Sequence, residues 1–269
     1  MVKAAIKAVA LLIAVSVAAF PQTQSPPTPS QTQPPQTPPQ EPSDNERSQD
    51  RLQSAGKVLG EILGGPHLGL DYALDRAECV IVLPGVIKGN GFIFTFLLGG
   101  TFGRGAMTCR SGPNFDGPWG APTMVALEGV NWGFEGGAEA VDILITVMNP
   151  DGANSLLTTK VKLGGDVTAT AGPVGRVGAA EEDVVLHSEL LTYSRAKGLF
   201  AGVGLTGSTL RADGPANTKL YGHHVNAKDV VLRGAEPPPD SAKLLLDTLN
   251  KQSPKRIVNA EATQNPPAK

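Results

Sequence analysis

The placement of glycine and proline limits what this chain can fold into more than any other feature. All 32 glycines lie between Gly56 and Gly234, whereas nine of the 23 prolines fall in 21–50 and six lie at or beyond Pro237. Together they make up about a fifth of the chain, below the roughly 25–30% at which composition alone argues disorder. The pattern is a glycine-rich folded segment between proline-rich flanks. A segment of this size buries an adequate core without staples. Coiled coil, collagen-like chain and disulfide scaffold are excluded, and so is a polytopic membrane protein, because no second long apolar run occurs. The net charge is −2, and −4 without Lys3 and Lys7. There is no basic run of five or more residues. A duplex-binding face needs clustered cations, so nucleic acid is not an expected partner.

Residues 1–19 read as a cleaved signal peptide: Lys3 and Lys7 form the basic start, Ala8–Val17 the apolar run, and Val17-Ala18-Ala19 the cleavage site. The expected location is periplasmic or secreted; an uncleaved anchor is the rival. Residues 20–50 form a Pro/Gln-rich, solvated linker. The folded domain is expected over 51–235, followed over 236–269 by a proline hinge, a short helix and a disordered tail. Cys79 and Cys109 leave two readings open. They form a disulfide closing a loop of about 30 residues, or Cys79 is a small buried hydrophobe within Cys79–Leu83.

Helical spacing of Leu52, Ala55, Val58, Leu59, Ile62 and Leu63 predicts a helix over about Asn45–Leu63, capped by Ser43 or Asp44. A shorter helix follows over Leu70–Arg76. Strands are expected at Cys79–Leu83, Phe92–Leu98, 105–110, 123–128, 130–148, 161–171, 184–192, 199–211 and 219–222, with a glycine-dense bend at 99–105. One helical turn is expected at Ser155–Lys160, and a last helix from Asp240 or Ser241 to Asn250. Gly133, Gly136, Gly137, Gly202, Gly204 and Gly207 fall inside strand patterns, which calls for bulges, coiling or close backbone approach. The expected class is α+β: a strongly curved, Gly-rich antiparallel β-sheet, barrel-like, with N-terminal helices and a C-terminal helix.

No catalytic residue, metal site or cofactor is assigned. The run Gly100–Gly105 lacks both phosphate-loop patterns, and GxSxG, HExxH and paired CxxC are absent. His187 or His223 with an acid would be needed for a hydrolase. Glu139 and Asp142, three apart on a strand, face opposite sides and suit structural hydrogen bonds better than acid–base pairing. More suggestive are cations beside glycine-rich turns: Arg104, Arg176, Arg195 and Lys197. Exposed N–H groups next to such side chains can hold an anion such as a lipid phosphate.

Several motifs together resemble the SYLF domain family over about Arg51–Gly222. They are Arg76-Ala-x-Cys79 with Pro84, Trp119-x-x-Pro122, and Gly129-x-x-x-Gly133-x-x-Gly136-x-x-Glu139-x-x-Asp142. Gly164-x-Asp166, Ala171–Gly175, Tyr193-Ser194-Arg195-x-Lys197-Gly198-Leu199-Phe200-Ala201-Gly202 and Tyr221-Gly222 complete the set. The resemblance implies a module that binds phosphoinositides or other anionic lipids, as in eukaryotic members linked to membranes and actin. There a basic N-terminal helix carries the binding; here the corresponding helix sets Arg47, Arg51 and Lys57 against Glu46, Asp50 and Glu61. The expectation is a non-enzymatic, exported module binding an anionic lipid or membrane surface at the cell envelope. The alternative is a structural or protein-interaction module with an envelope protein as partner.

Overall fold

The computed structural model describes residues 42–257 apart from 66–67, 94–95, 133–136, 159, 197–198 and 204. The expected signal peptide, the linker up to residue 41, Lys197, Gly133, Gly136, Gly204 and the tail from 258 lie outside the described residues. Helix α1 (Asp44–Leu63) opens on a reciprocal cap: the Glu46 carboxylate accepts from the Ser43 N–H at 2.6 Å, and Ser43 Oγ accepts from the Glu46 N–H at 3.3 Å. Its predicted apolar stripe is buried, together with Gly56, except for Leu63, which is half-buried. A Cβ at Gly56 would lie 2.8 Å from the Leu245 backbone nitrogen, so glycine lets α7 (Lys243–Gln252) pack closely on α1.

Among the described residues, nine strands form one open, strongly curled sheet, which gives an α+β half-barrel that does not close. They are β1 (Cys79–Ile93), β2 (Phe96–Cys109), β3 (Thr123–Trp132), β4 (Gly137–Val147), β5 (Val161–Lys162), β6 (Ala169–Ala171), β7 (Leu190–Ala196), β8 (Leu199–Gly202) and β9 (Ser208–Ala212). The order is β5-β9-β3-β2-β1-β4-β7-β6, with β8 also on β7; only the β6–β7 pairing is parallel. Cys79, Ile81 and Leu83 face one core with α3 (Pro150–Thr158) and α6 (Ala227–Arg233). Val80 and Val82 face a second core with α1, α2 (Leu68–Leu74), α5 (Gly214–Tyr221) and α7. Burial on both faces explains why Cys79–Leu83 is continuously apolar rather than alternating.

Several expectations are corrected. The supposed bend at 99–105 is the interior of β2. Residues 184–192 are not a strand: α4 (Ala179–His187) precedes β7, its first turn closed by Glu181 accepting from the Gly178 N–H at 3.1 Å. Residues 219–222 end α5, and α6 is an unforeseen helix capped by Asn226 and by Gly234 at φ +62°. The 161–171 stretch divides into β5 and β6. Beyond 235, α7 packs on α1, and Ser253, expected in a frayed tail, is wholly buried.

The bend comes from β1. Val82 pairs with Ala106 and Ile87 with Phe102, so five steps along β1 oppose four along β2. The ladder to β4 shifts at the same place, between Leu83 and Val86. The extra residue is accommodated at Pro84-Gly85, with Gly85 at φ +56°. Proline has no N–H for a ladder, and glycine tolerates this backbone. The Gly85 N–H is satisfied by Asp142 Oδ1 at 2.9 Å. The bulge leans β1 onto β2: a Cβ at Gly105 would lie 1.9 Å from Val82 O, and one at Gly103 2.6 Å from Val86 Cγ2.

Cys79 and Cys109 are joined in a buried disulfide, with Cα atoms 3.9 Å apart, which settles the open alternative. The Arg110 N–H donates to Glu78 O at 2.8 Å, so the adjacent cysteine pair is of the non-hydrogen-bonded kind, where side chains come closest. Arg110 is fully buried, donating to Ala77 O and Ser253 Oγ with its guanidinium 4.3 Å from the Trp119 ring. Glu78 is buried against Arg256 at 2.8 Å, and Ser253 O accepts from Trp119 Nε1 at 3.0 Å, so the segment after α7 is tied to the sheet.

Replacing both cysteines by alanine is expected to lower unfolding stability by about 3–4 kcal/mol, read from denaturant midpoints; an unchanged midpoint would count against the bond. Burial pushes the Glu78 carboxyl up to about 7 despite the opposing pull of Arg256, with Asp151 adding a smaller upward push. A carboxyl that holds its proton more tightly folded than unfolded favours the fold below its unfolded pKa. That advantage is lost as pH rises through the folded value. From about pH 8 to about pH 5 the native protein should gain on the order of 3 kcal/mol relative to Glu78→Gln; parallel pH–stability curves would contradict this.

Candidate functional site

The four cations singled out in the sequence end up in different states. Arg104, on β2, donates to Asp213 at 2.5 Å, and its guanidinium lies 5.3 Å over the Phe102 ring. Asp213 is nearly buried and also caps α5 by accepting from the Ala216 N–H. Arg195, on β7, is held between Asp142 at 2.7 Å and Glu61 of α1 at 2.5 Å. With one Asp142 oxygen on Gly85 and the other on Arg195, that aspartate fastens the bulge to β4, β7 and α1. Arg176 is exposed in the loop between β6 and α4, and no ion pair engages it among the described residues. Lys197 is outside them.

Asp142, His187 and His223 are occupied by structural bonds, and the Glu139 side chain lies outside the described residues. His187 Nδ1 bonds Asp183 O at 2.9 Å on α4; His223 bonds Tyr221 O and the Glu236 carboxylate at 3.1 and 2.8 Å. Within the acidic run 181–183, Glu182 accepts from Tyr72 OH at 2.5 Å. Among the described residues no group of three or more His, Cys, Asp or Glu is placed to hold a metal ion.

The bulge brings a different set together. Past it, β1 runs beyond the cover of the helices, and Ile87 and Phe102 stand side by side, 53% and 47% exposed. Directly opposed residues of antiparallel strands share a face. The register therefore sets Ile87, Phe102, Glu128, Thr209 and Lys162 in one row across β1, β2, β3, β9 and β5. The apolar pair separates two clefts and lines both. The smaller, about 380 Å³, lies between the bulge and α1 and carries Arg51 and Arg104, with Asp50 also on its wall. The larger, about 1000 Å³, carries Lys160 and Lys162 over Gly100, Gly129 and Gly207.

Charge is unevenly cancelled here. Asp213 is bound to Arg104, and Glu128 to Arg211 at 2.8 Å. Arg51, Lys160 and Lys162 have no ion pair among the described residues. Partial burial lowers the Arg51 pKa, the neighbouring positive charge of Arg104 lowers it further, and Asp213 offsets part of this. Arg104 is matched by Asp213, whereas Arg51, beside Asp50 on the same wall, has no ion pair and leaves its guanidinium available next to an exposed phenyl ring. Such a site can take an anion attached to an apolar body.

Comparison with known proteins gives the chain its family. The Ysc84 family, described as "Las17-binding protein actin regulator", matches residues 128–252. Protein YSC84 of Saccharomyces cerevisiae is 31% identical over 202 residues, covering 72% of this chain and 41% of the yeast protein. LAS seventeen-binding protein 3 of the same yeast is 35% identical over 182 residues, 66% of this chain and 38% of that protein. Human SH3 domain-containing YSC84-like protein 1 is 35% identical over 183 residues, 66% of this chain and 50% of the human one. The chain thus spans half or less of the length of these relatives. The folded region of this chain belongs to the SYLF, or Ysc84, domain family.

Proposed function

We propose that this chain is a non-enzymatic, exported module that binds anionic phospholipid at a membrane surface of the cell envelope. The observation that carries this reading is the exposed Ile87–Phe102 pair beside Arg51 and Arg104. An apolar ridge gains by leaving water, and adjacent cations gain from lipid phosphate; neither effect alone holds a protein on a membrane. The Cys79–Cys109 disulfide supports export, since such bonds persist in oxidising compartments. Of the four cations first singled out, Arg104 is the one within this site. Arg176 is exposed and can add a peripheral contact, while Arg195 would have to give up two carboxylates. No helix among the described residues is long and apolar enough to cross a membrane, so contact by the ridge is a surface mode.

A second reading is a protein-interaction module. The name of LAS seventeen-binding protein 3 and the family's description as an actin regulator favour it. Its partner here would be an envelope protein.

Vesicle flotation separates the two. The protein should float with phosphatidylglycerol vesicles at low salt, release as salt rises, and ignore phosphatidylcholine. Arg51→Gln should weaken binding about fivefold, the worth of one cation of about 1 kcal/mol, and Phe102→Ser should weaken it at any salt. No flotation with any vesicle, alongside a stoichiometric protein captured from the envelope, would favour the second reading.

A further inference from the structure

The larger cleft has no part in the site just proposed, yet it shares that site's apolar wall. It holds two lysines without carboxylate partners, while its one acidic lining residue, Glu128, is bound to Arg211. The smaller cleft has its own pair, Arg51 and Arg104. Phe102 and Lys162 stand three ladder steps apart in one row, about 14 Å between backbones at the usual strand spacing. One phosphate cannot sit against both pairs. Two phosphates joined by a short polar bridge can, with the bridge over Phe102 and the acyl chains leaving along Ile87.

The floor of the larger cleft supports this. Gly100 lies on the same face of β2 as Phe102 and Arg104, two and four residues away. Among the described residues a Cβ there would meet nothing nearer than Gly129 O at 3.8 Å, an ordinary contact, and its φ is not positive. Neither packing among the described residues nor backbone requires glycine at this position, in contrast to Gly103 and Gly105. What the missing side chain does is keep the cleft open between Phe102 and the lysines.

We propose that Lys160 and Lys162 form a second phosphate subsite, so that the preferred ligand is a glycerol-bridged two-phosphate lipid of the diphosphatidylglycerol class rather than a one-phosphate lipid. This rests on the lipid-binding reading above and goes beyond it by naming the headgroup. Holding both phosphates of one molecule makes the second contact intramolecular, which raises affinity without further cations.

The test uses the full chain and two phosphatidylcholine vesicle types of equal lipid charge, one with diphosphatidylglycerol and the other with phosphatidylglycerol. The native protein should bind the first about tenfold more tightly. Lys160→Gln with Lys162→Gln should reduce the ratio to about one while leaving phosphatidylglycerol binding in place. Gly100→Leu should do the same by filling the cleft, with its unfolding midpoint retained. Equal binding of the native protein to both vesicles overturns the two-phosphate subsite and leaves the lipid-binding reading standing. An undiminished ratio in both variants also overturns the subsite. Binding to neither vesicle overturns both.

Discussion

The close approach of β1 to β2 at the Pro84-Gly85 bulge is the constraint on which the rest of this structure depends. The extra residue bends β1 toward Gly103 and Gly105, where no Cβ fits. It also changes which residues face which side. Before the bulge, alternate residues of Cys79–Leu83 enter two cores; after it, Ile87 lands on the face that carries α1 but beyond its helices. The exposed ridge and the curl of the sheet thus have one local cause. Asp142 holds that bulge by its Gly85 bond and passes the restraint to β7 and α1 through Arg195 and Glu61.

Charge follows a similar division between structure and surface. Three half-buried cations are matched: Arg195 by two carboxylates, Arg104 by Asp213, Arg256 by Glu78. Fully buried Arg110 is held by carbonyls, a hydroxyl and the Trp119 ring. Leaving such charges unmatched would cost several kcal/mol each. Among the cations without an ion pair in the described residues, Arg51, Lys160 and Lys162 line the two clefts beside the ridge, so an overall negative chain still presents unpaired cations next to apolar surface.

The α+β class, α1 and the curved glycine-rich sheet were legible because each rests on local signals: a cap with an apolar stripe, or glycines inside strand patterns. The run of β1 past Pro84-Gly85 was not, since those residues ordinarily end strands and only pairing on both sides keeps this one intact. Helix α4 was hidden by Val184 and Val185, whose β-propensity yields to a closed first turn and to packing of Val185 in the second core. The site was half legible. A cation between glycines located Arg104, but its partner Asp213 is 109 residues away. Ile87 and Phe102 become neighbours only through register, and Lys162 joins them through β9 on a two-residue edge strand.

The central claim, that backbone contact at the bulge sets the curl, is tested most directly by comparing Gly105→Ala with Gly100→Ala in equilibrium unfolding. The first places a methyl group on Val82 O and should cost about 3 kcal/mol, near the upper range for overpacking. The second meets no more than an ordinary contact with Gly129 O at 3.8 Å and should lie within about 0.5 kcal/mol of the native protein, as surface substitutions do. Equal, small effects at both positions would mean that β1 does not lean on β2, and the origin assigned to the curled sheet and its exposed ridge would be wrong.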